Sequence, residues 1–424
     1  MESTIRNVPG LGLTSLLSVM AGVYTIQSLI GMFTLQGLPA VLRSEGVSTS
    51  QIGLFYIAML PWALKFLWSP YIESLRKQGR TLKNHGYLIL FAQVMMLVVL
   101  GILALTSALH QLTLIFACVL VLALLSTFAD ISTDGLAVDQ LLKSQRRVGN
   151  VMQVGGAYLG AIFGGGMFIY LTGTMNWQIA IFVLIGLVVI MSLPTFKLFS
   201  KNTTQSGVSD GHIPSLKSAF LNPKIRQGLL LIALCQLGTR GVLSMMMPFL
   251  YDRGINLENL GLLTAGGGAI TGFIGIAFSG WIIKHISAIK MVTYCLLAEM
   301  IVYTGFFFYS SELIHLPYGL EVLFVINAFI FAAKFVALYT LMMEWSYGKQ
   351  AGVDFSFFQS MDMIVAIVMA ILCGWIIANF GYKVHYTMAI IATFLAAFTL
   401  HQSTRTHDQR SFNISIFSAQ EKNK

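Results

Sequence analysis

Twelve apolar runs of about twenty residues follow one another along the chain, and each is long enough to cross a bilayer. They fall near 11–38, 50–71, 87–109, 112–138, 150–172, 178–196, 227–250, 258–283, 290–310, 317–343, 354–379 and 384–401. Segments that are apolar on every face have lipid or the inside of a large bundle as their natural surroundings. Composition agrees: 56% of residues are hydrophobic and 10% charged, where a soluble domain carries roughly 25% charge. The predicted fold class is an all-α membrane protein of twelve transmembrane helices.

The net charge of +9 reports topology rather than affinity for nucleic acid. With a cytoplasmic N-terminus, twenty Lys and Arg fall in inner loops and tails, among them Arg76, Lys77, Arg80, Lys83, Lys143, Arg146, Arg147, Lys197 and Lys201. Three fall outside (Arg43, Arg253, Lys383) and three within spans (Lys65, Arg240, Lys334). That is the positive-inside pattern, with both termini cytoplasmic. The first span is too long for a signal-peptide core and no A-x-A-like site follows it, so an uncleaved first helix is expected. Cys118, Cys235, Cys295 and Cys373 lie within spans and read as packing residues.

The longest polar stretch, 197–227, divides the chain into an N-terminal six-helix bundle (1–200), a cytoplasmic linker (201–226), a C-terminal six-helix bundle (227–403) and a cytoplasmic tail (404–424). The two bundles carry a trace of common pattern. With one residue of slippage Pro39 meets Pro248, Gly46 meets Gly254, Gly53 meets Gly261 and Leu54 meets Leu262, while before the slip Gln27 falls on Gln236. Weak internal symmetry of this kind marks transporter repeats, the two halves of the major facilitator fold included. No G-x-x-x-x-G-K-[ST] loop occurs, so an ion gradient is the expected energy source. No His/Cys/carboxylate cluster has metal-ligand spacing, and no nucleophile–base constellation stands out; neither a cofactor nor an enzyme is predicted. Gly156, Gly160 and Gly164 share a face of the fifth span, as Gly268 and Gly272 do on the eighth. Such stripes serve either static packing or a sliding seam between halves.

Ionisable groups within lipid are functional-site candidates by default. Asp130 and Asp134 share a helix face near the end of the fourth span, ~27 and ~33 Å along it at ~1.5 Å per residue, while Asp139 points elsewhere. Like charges so placed need a partner or a proton, and Lys65 on the second span is within range of Asp130 as a structural or gating pair. Arg240, ~20 Å along the seventh span, has Gln236 one turn before it. It is suited either to a substrate carboxylate or to an ion pair with Glu299 or Asp362. Glu299, Asp362, Asp130 and Asp134 are the proton-coupling candidates. Gln27, Gln236 and Tyr24 join Arg240 as substrate-binding candidates, and Lys334 and Glu73 join the coupling and gating set.

GLPAVLRSEGVSTSQIGLFYIAMLPWALKFLWSPYIES (37–74) resembles the AmpG-like branch of the major facilitator superfamily, with its Gly-Leu-Pro, Gly-Val-Ser, Ile-Gly and Lys-Phe-x-Trp-x-Pro in order. ADISTDGLAVD (129–139), GNVMQVGGAYLGAIFGGG (149–166) and VDFSFFQSMD (353–362) are similar to the RhtX/FptX siderophore transporters. The resemblance implies a bacterial inner-membrane permease importing a siderophore or ferri-siderophore with protons. It puts Lys65 and Asp134 at family motif positions with Asp130 and Gln153 beside them. In YIESLRKQGR, Glu73 stands where the family's loop has an aspartate. The alternatives are a permease for muropeptides or another anionic metabolite, and siderophore or drug efflux.

Overall fold

The computed structural model describes residues 11–77, 82–105, 111–141, 145–199, 222–346 and 351–421. The described residues are helical almost throughout. The helices that matter are α1 (Leu13–Ser44), α2 (Thr49–Trp68), α3 (Leu82–Leu105), α4 (Leu112–Gln140), α5 (Val151–Thr174), α6 (Trp177–Phe199), α7 (Pro223–Asp252), α8 (Leu257–Ile282), α9 (Ala288–Ser310) and α10 (Gly319–Trp345). One further helical stretch, kinked within, covers Ala351–Glu421. Its apolar part, 49 residues long, would measure about 74 Å, against about 30 Å of hydrocarbon to cross. Gly381, at φ 78° and ψ 176°, breaks it. The two pieces, α11 (351–380) and α12 (382–421), complete the twelve.

The surface of the helices identifies their solvent. On α3, Phe91, Val94, Val98 and Ile102 form one exposed stripe, while Ile89, Met96, Leu100 and Leu103 are buried on the other side. An outward apolar stripe of this length in water would be an aggregation surface. Against hydrocarbon it is neutral, and this is a multi-pass membrane protein.

The chain packs as two compact units. One holds Met1–Ile213 with Ser244–Ala269, the other Pro214–Leu243 with Ile270–Lys424. In the first unit α1 packs along α5 and α4, and α3 lies between α4 and α6. In the second, α9 is flanked by α10 and by the α11–α12 segment.

The internal repeat is visible in the backbone. After α1 the chain turns at Gly46 (φ 82°), with Gly46 N–H donating to Arg43 O and Val47 N–H to Leu42 O. After α7 it turns at Gly254 (φ 92°), with Gly254 N–H donating to Tyr251 O and Ile255 N–H to Leu250 O. Both are Schellman closures, in which a left-handed glycine lets the chain cap the last carbonyls. Each is followed at once by a new cap, Ser48 in a reciprocal capping box with Gln51 and Asn256 accepting from Asn259 N–H. The one-residue slip falls between Pro39 and Gly46, since Gln27 with Gln236 and Pro39 with Pro248 share one offset. Phe33–Gly37, ahead of the slip, is a π turn in α1.

Two further π turns, Ala161–Met167 in α5 and Leu263–Gly268 in α8, pack on one another, and the first also packs on Phe33–Gly37. Glycine makes this approach possible. A Cβ on Gly166 would meet Ala265 at 2.4 Å, and one on Gly261 would meet the Tyr170 amide nitrogen at 2.4 Å. Arg43 Nε donates to Asp252 Oδ1 at 2.7 Å in the same unit, tying the end of α1 to the end of α7.

Of the two readings of Gly156, Gly160 and Gly164, the packing of these glycines favours the static one. Their missing side chains face α1: Cβ atoms there would meet Tyr24 and Thr25, Ser28 and Leu29, and the Leu29 carbonyl oxygen at 2.0 Å. The stripe fastens α5 to α1 inside one bundle, which is static packing. Gly164→Val is therefore expected to destabilise the protein by about 1–3 kcal/mol through overpacking, read as a lower Tm in detergent. An unchanged Tm would show that α5 can move away freely.

Candidate functional site

Two groups of intramembrane polar side chains emerge, one in each unit. In the first unit, Asp130 and Asp134 do share a face of α4, but different helices answer them. Lys65 Nζ on the α2 side donates to Asp130 Oδ2 at 3.1 Å, and its ammonium lies 5.4 Å from the Trp62 ring. Tyr24 of α1 donates its hydroxyl to Asp134 Oδ1 at 2.7 Å. Asp130 is buried and Asp134 partly exposed. The repulsion between two carboxylates one turn apart is thus relieved by a cation on one and a hydroxyl on the other. Nearby, Trp68 Nε1 donates to Thr127 Oγ1 at 3.2 Å, and His85 Nδ1 lies 3.1 Å from Ser132 O. Tyr24, predicted for substrate, is engaged with the α4 acids. Gln27, also of α1, keeps a buried Oε1 that no group hydrogen-bonds among the described residues. Gln153 is exposed. The side chains of Glu73 and Asp139 lie outside those described.

In the second unit one turn of α7 organises everything. Arg240 presents its fork to Asp362 of α11: Nε donates to Oδ1 at 2.9 Å and Nη2 to Oδ2. Gln236 Nε2 donates to the same Oδ1 at 2.7 Å, and the guanidinium carbon lies 5.9 Å from the Phe331 ring of α10. The side chains of Arg240 and Asp362 are 15% and 6% exposed, so the pair is accessible at one edge. Of the two ion-pair partners the sequence left open for Arg240, Asp362 is the one in contact.

Glu299 of α9 pairs instead with Lys334 of α10, Nζ to Oε2 2.7 Å, with the side chains 0% and 1% exposed. Thr239 Oγ1 donates to the same Oε2 at 2.9 Å, and Lys334 also contacts Thr239 Oγ1 and, at 3.3 Å, the Cys235 carbonyl. Glu299 Oε1 is buried with no hydrogen-bond partner among the described residues. Tyr303, one turn further along α9, is buried beside Glu299 and Thr239. Thr239 was missed in the sequence, although its position next to Arg240 on an otherwise apolar helix was a signal. His385, near the start of α12, is buried with its ring edge-on to Tyr386 at 5.0 Å.

Chemically, α7 offers a bidentate guanidinium already holding a carboxylate and, one residue back, a sealed carboxylate–ammonium pair. Burial of charge on this scale is tolerated only with such partners. No nucleophile or base is arranged for bond making in either group.

The comparisons with known proteins agree with this picture. Residues 229–415 match the Major Facilitator Superfamily. The anhydromuropeptide permease of Escherichia coli K12 is 24% identical over 379 residues, covering 84% of this chain and 75% of that protein. Putative transporter AmpG 4 of Rickettsia conorii is 22% identical over 375 residues, 85% of this chain and 89% of its own. Among solved structures, nucleoside transporter NupG superposes with a TM-score of 0.66 at 12% identity, covering 92% of this chain and 99% of that one. A bacterial homolog of the human lysosomal transporter Spinster gives 0.69 at 13% identity, with 93% and 97% covered. The fold is the major facilitator fold, and the chain is a membrane transporter of the major facilitator kind rather than an enzyme. The AmpG-like resemblance read from 37–74 is matched by these relatives. The narrower likeness to RhtX/FptX siderophore transporters finds no counterpart in them.

Proposed function

We propose that the protein is a secondary active permease of the bacterial inner membrane, with both termini cytoplasmic, which imports a muropeptide or a closely related anionic metabolite. Transport proceeds by alternating access between the bundles 1–200 and 227–403 and is driven by protons. The observation that carries this reading is the Arg240 fork on Asp362, accessible at one edge and backed by Gln236 and Phe331. A muropeptide joins amino-sugar rings to a short peptide with free carboxylates. A guanidinium grips a carboxylate through two parallel hydrogen bonds, and Asp362 occupies the place such a group would take. Relatives at 22–24% identity over most of the chain, one of them an anhydromuropeptide permease, support the substrate class. The siderophore reading rests on short sequence blocks alone, and the alternative of an anionic metabolite is the better supported.

The test is uptake into proteoliposomes with an imposed proton gradient, supplied separately with radiolabelled anhydromuropeptide and with a ferric siderophore. Accumulation of the first and not the second is expected. Accumulation of the siderophore alone would reverse the assignment.

A further inference from the structure

We infer that Glu299 takes up a proton when an anionic substrate docks on Arg240, with Lys334 held in place to balance the new negative charge; this rests on the anionic-permease reading above. The geometry begins with the division of labour on α7. Gln236 and Arg240 turn toward Asp362 of α11, while Cys235 and Thr239 turn toward Lys334 of α10 and Glu299 of α9. The two ion pairs are therefore bound to one helical turn through adjacent residues, 239 and 240. One pair is accessible at an edge and the other is sealed.

Each pair is neutral at rest. A substrate carboxylate that takes the place of Asp362 on Arg240 brings one surplus negative charge into a region from which water is largely excluded. Uncompensated charge there is expensive, and the nearest remedy is a proton from solution on a neighbouring carboxylate. Glu299 is built to receive it. Oε2 is occupied by Lys334 and Thr239, but Oε1 is buried and accepts from no described residue. The step is plain protonation: carboxylate plus proton gives carboxylic acid, and no other bond is made or broken. Lys334 then keeps its contacts with the Cys235 carbonyl and Thr239, and its charge offsets the substrate. The other titratable groups around Glu299 are Cys235 of α7, Cys295 and Tyr303 of α9 and, beyond Tyr303, Tyr386 of α12. None of them is a carboxylate. Asp362 is the competing acceptor, since once displaced it retains Gln236. By linkage, if the substrate promotes protonation, protonation promotes substrate binding by the same factor. That is the thermodynamic content of symport.

The decisive experiment is calorimetric titration of the purified full chain with anhydromuropeptide in two buffers of different ionisation enthalpy. The wild type is expected to take up about one proton per bound molecule. Asp362→Asn lacks the negative charge that the substrate would displace and is expected to bind without proton uptake; the double variant Glu299→Gln with Lys334→Met is expected to bind more weakly and take up none. A double variant that binds with undiminished proton uptake, or wild-type binding without uptake, overturns this inference and leaves the permease reading standing. Absence of any binding by wild type overturns both. Should the double variant fail to fold, infrared difference spectra of wild type with ordinary and with isotope-labelled glutamate decide the matter. A protonated-carboxyl band that appears on binding and shifts with the label is expected, and its absence, or a band that does not shift, contradicts the assignment to Glu299.

Discussion

Replacing Arg240 with alanine is expected to weaken anhydromuropeptide binding by about 2–4 kcal/mol, on the order of 30- to 1,000-fold in Kd, and to abolish uptake. The reason is geometric as much as electrostatic. Two parallel N–H donors match the two oxygens of a carboxylate, and lysine, a point charge on a flexible stem, cannot reproduce the fork. Arg240→Lys should accordingly retain the fold and lose on the order of tenfold in affinity. The partner residue gives the opposite sign. In the resting structure Asp362 competes for the guanidinium, so Asp362→Asn is expected to bind substrate more tightly and to turn over more slowly. A purely architectural ion pair predicts something else: both variants would lose stability and neither would gain affinity. Equilibrium binding measured beside thermal stability separates the two.

The second large effect falls on stability. Lys334 and Glu299 form the most deeply buried ion pair among the described residues. Lys334→Met strands the carboxylate of Glu299 with only Thr239 to accept from, at a cost of about 3–5 kcal/mol. A membrane protein stable by a few kcal/mol would be recovered largely unfolded or degraded. Removing both charges, with Glu299→Gln added, is expected to restore most of the loss, because two neutral groups of similar shape leave nothing charged in the interior. Size-exclusion profiles and Tm values of the single and double variants check this. A single variant as stable as wild type would mean that Glu299 is already neutral in the resting protein.

How much of this could be read from residues alone follows from what lipid-embedded sequence encodes. The twelve crossings were legible, since length and apolarity are what a bilayer demands, and even the break between the last two at Gly381 follows from a helix too long to cross once. The helical period also put Gln236 with Arg240 and Asp130 with Asp134, and depth put Lys65 within range of Asp130. Partner choice was not legible. Spans that are apolar all round carry little signal about which face meets which neighbour. Whether Arg240 met Glu299 or Asp362 therefore stayed open until α9, α10 and α11 were in place, and Lys334 had no assigned partner. Tyr24 was grouped with the substrate residues for its chemistry, whereas its hydroxyl is held by Asp134. The π turns left no trace in the pattern, since the offset between the repeats is the same at Gln27 and at Pro39, on either side of Phe33–Gly37. The glycine stripe on α5 was visible, but the helix it faces was not.

One measurement bears most directly on the claim that Arg240 receives a substrate carboxylate. It is the affinity of wild-type protein for anhydromuropeptide as the free acid, set against the same molecule with its carboxyl groups amidated. Amidation is expected to weaken binding to wild type by about as much as Arg240→Ala does, and to change binding to Arg240→Ala hardly at all. Equal affinity of wild type for acid and amide would contradict that claim.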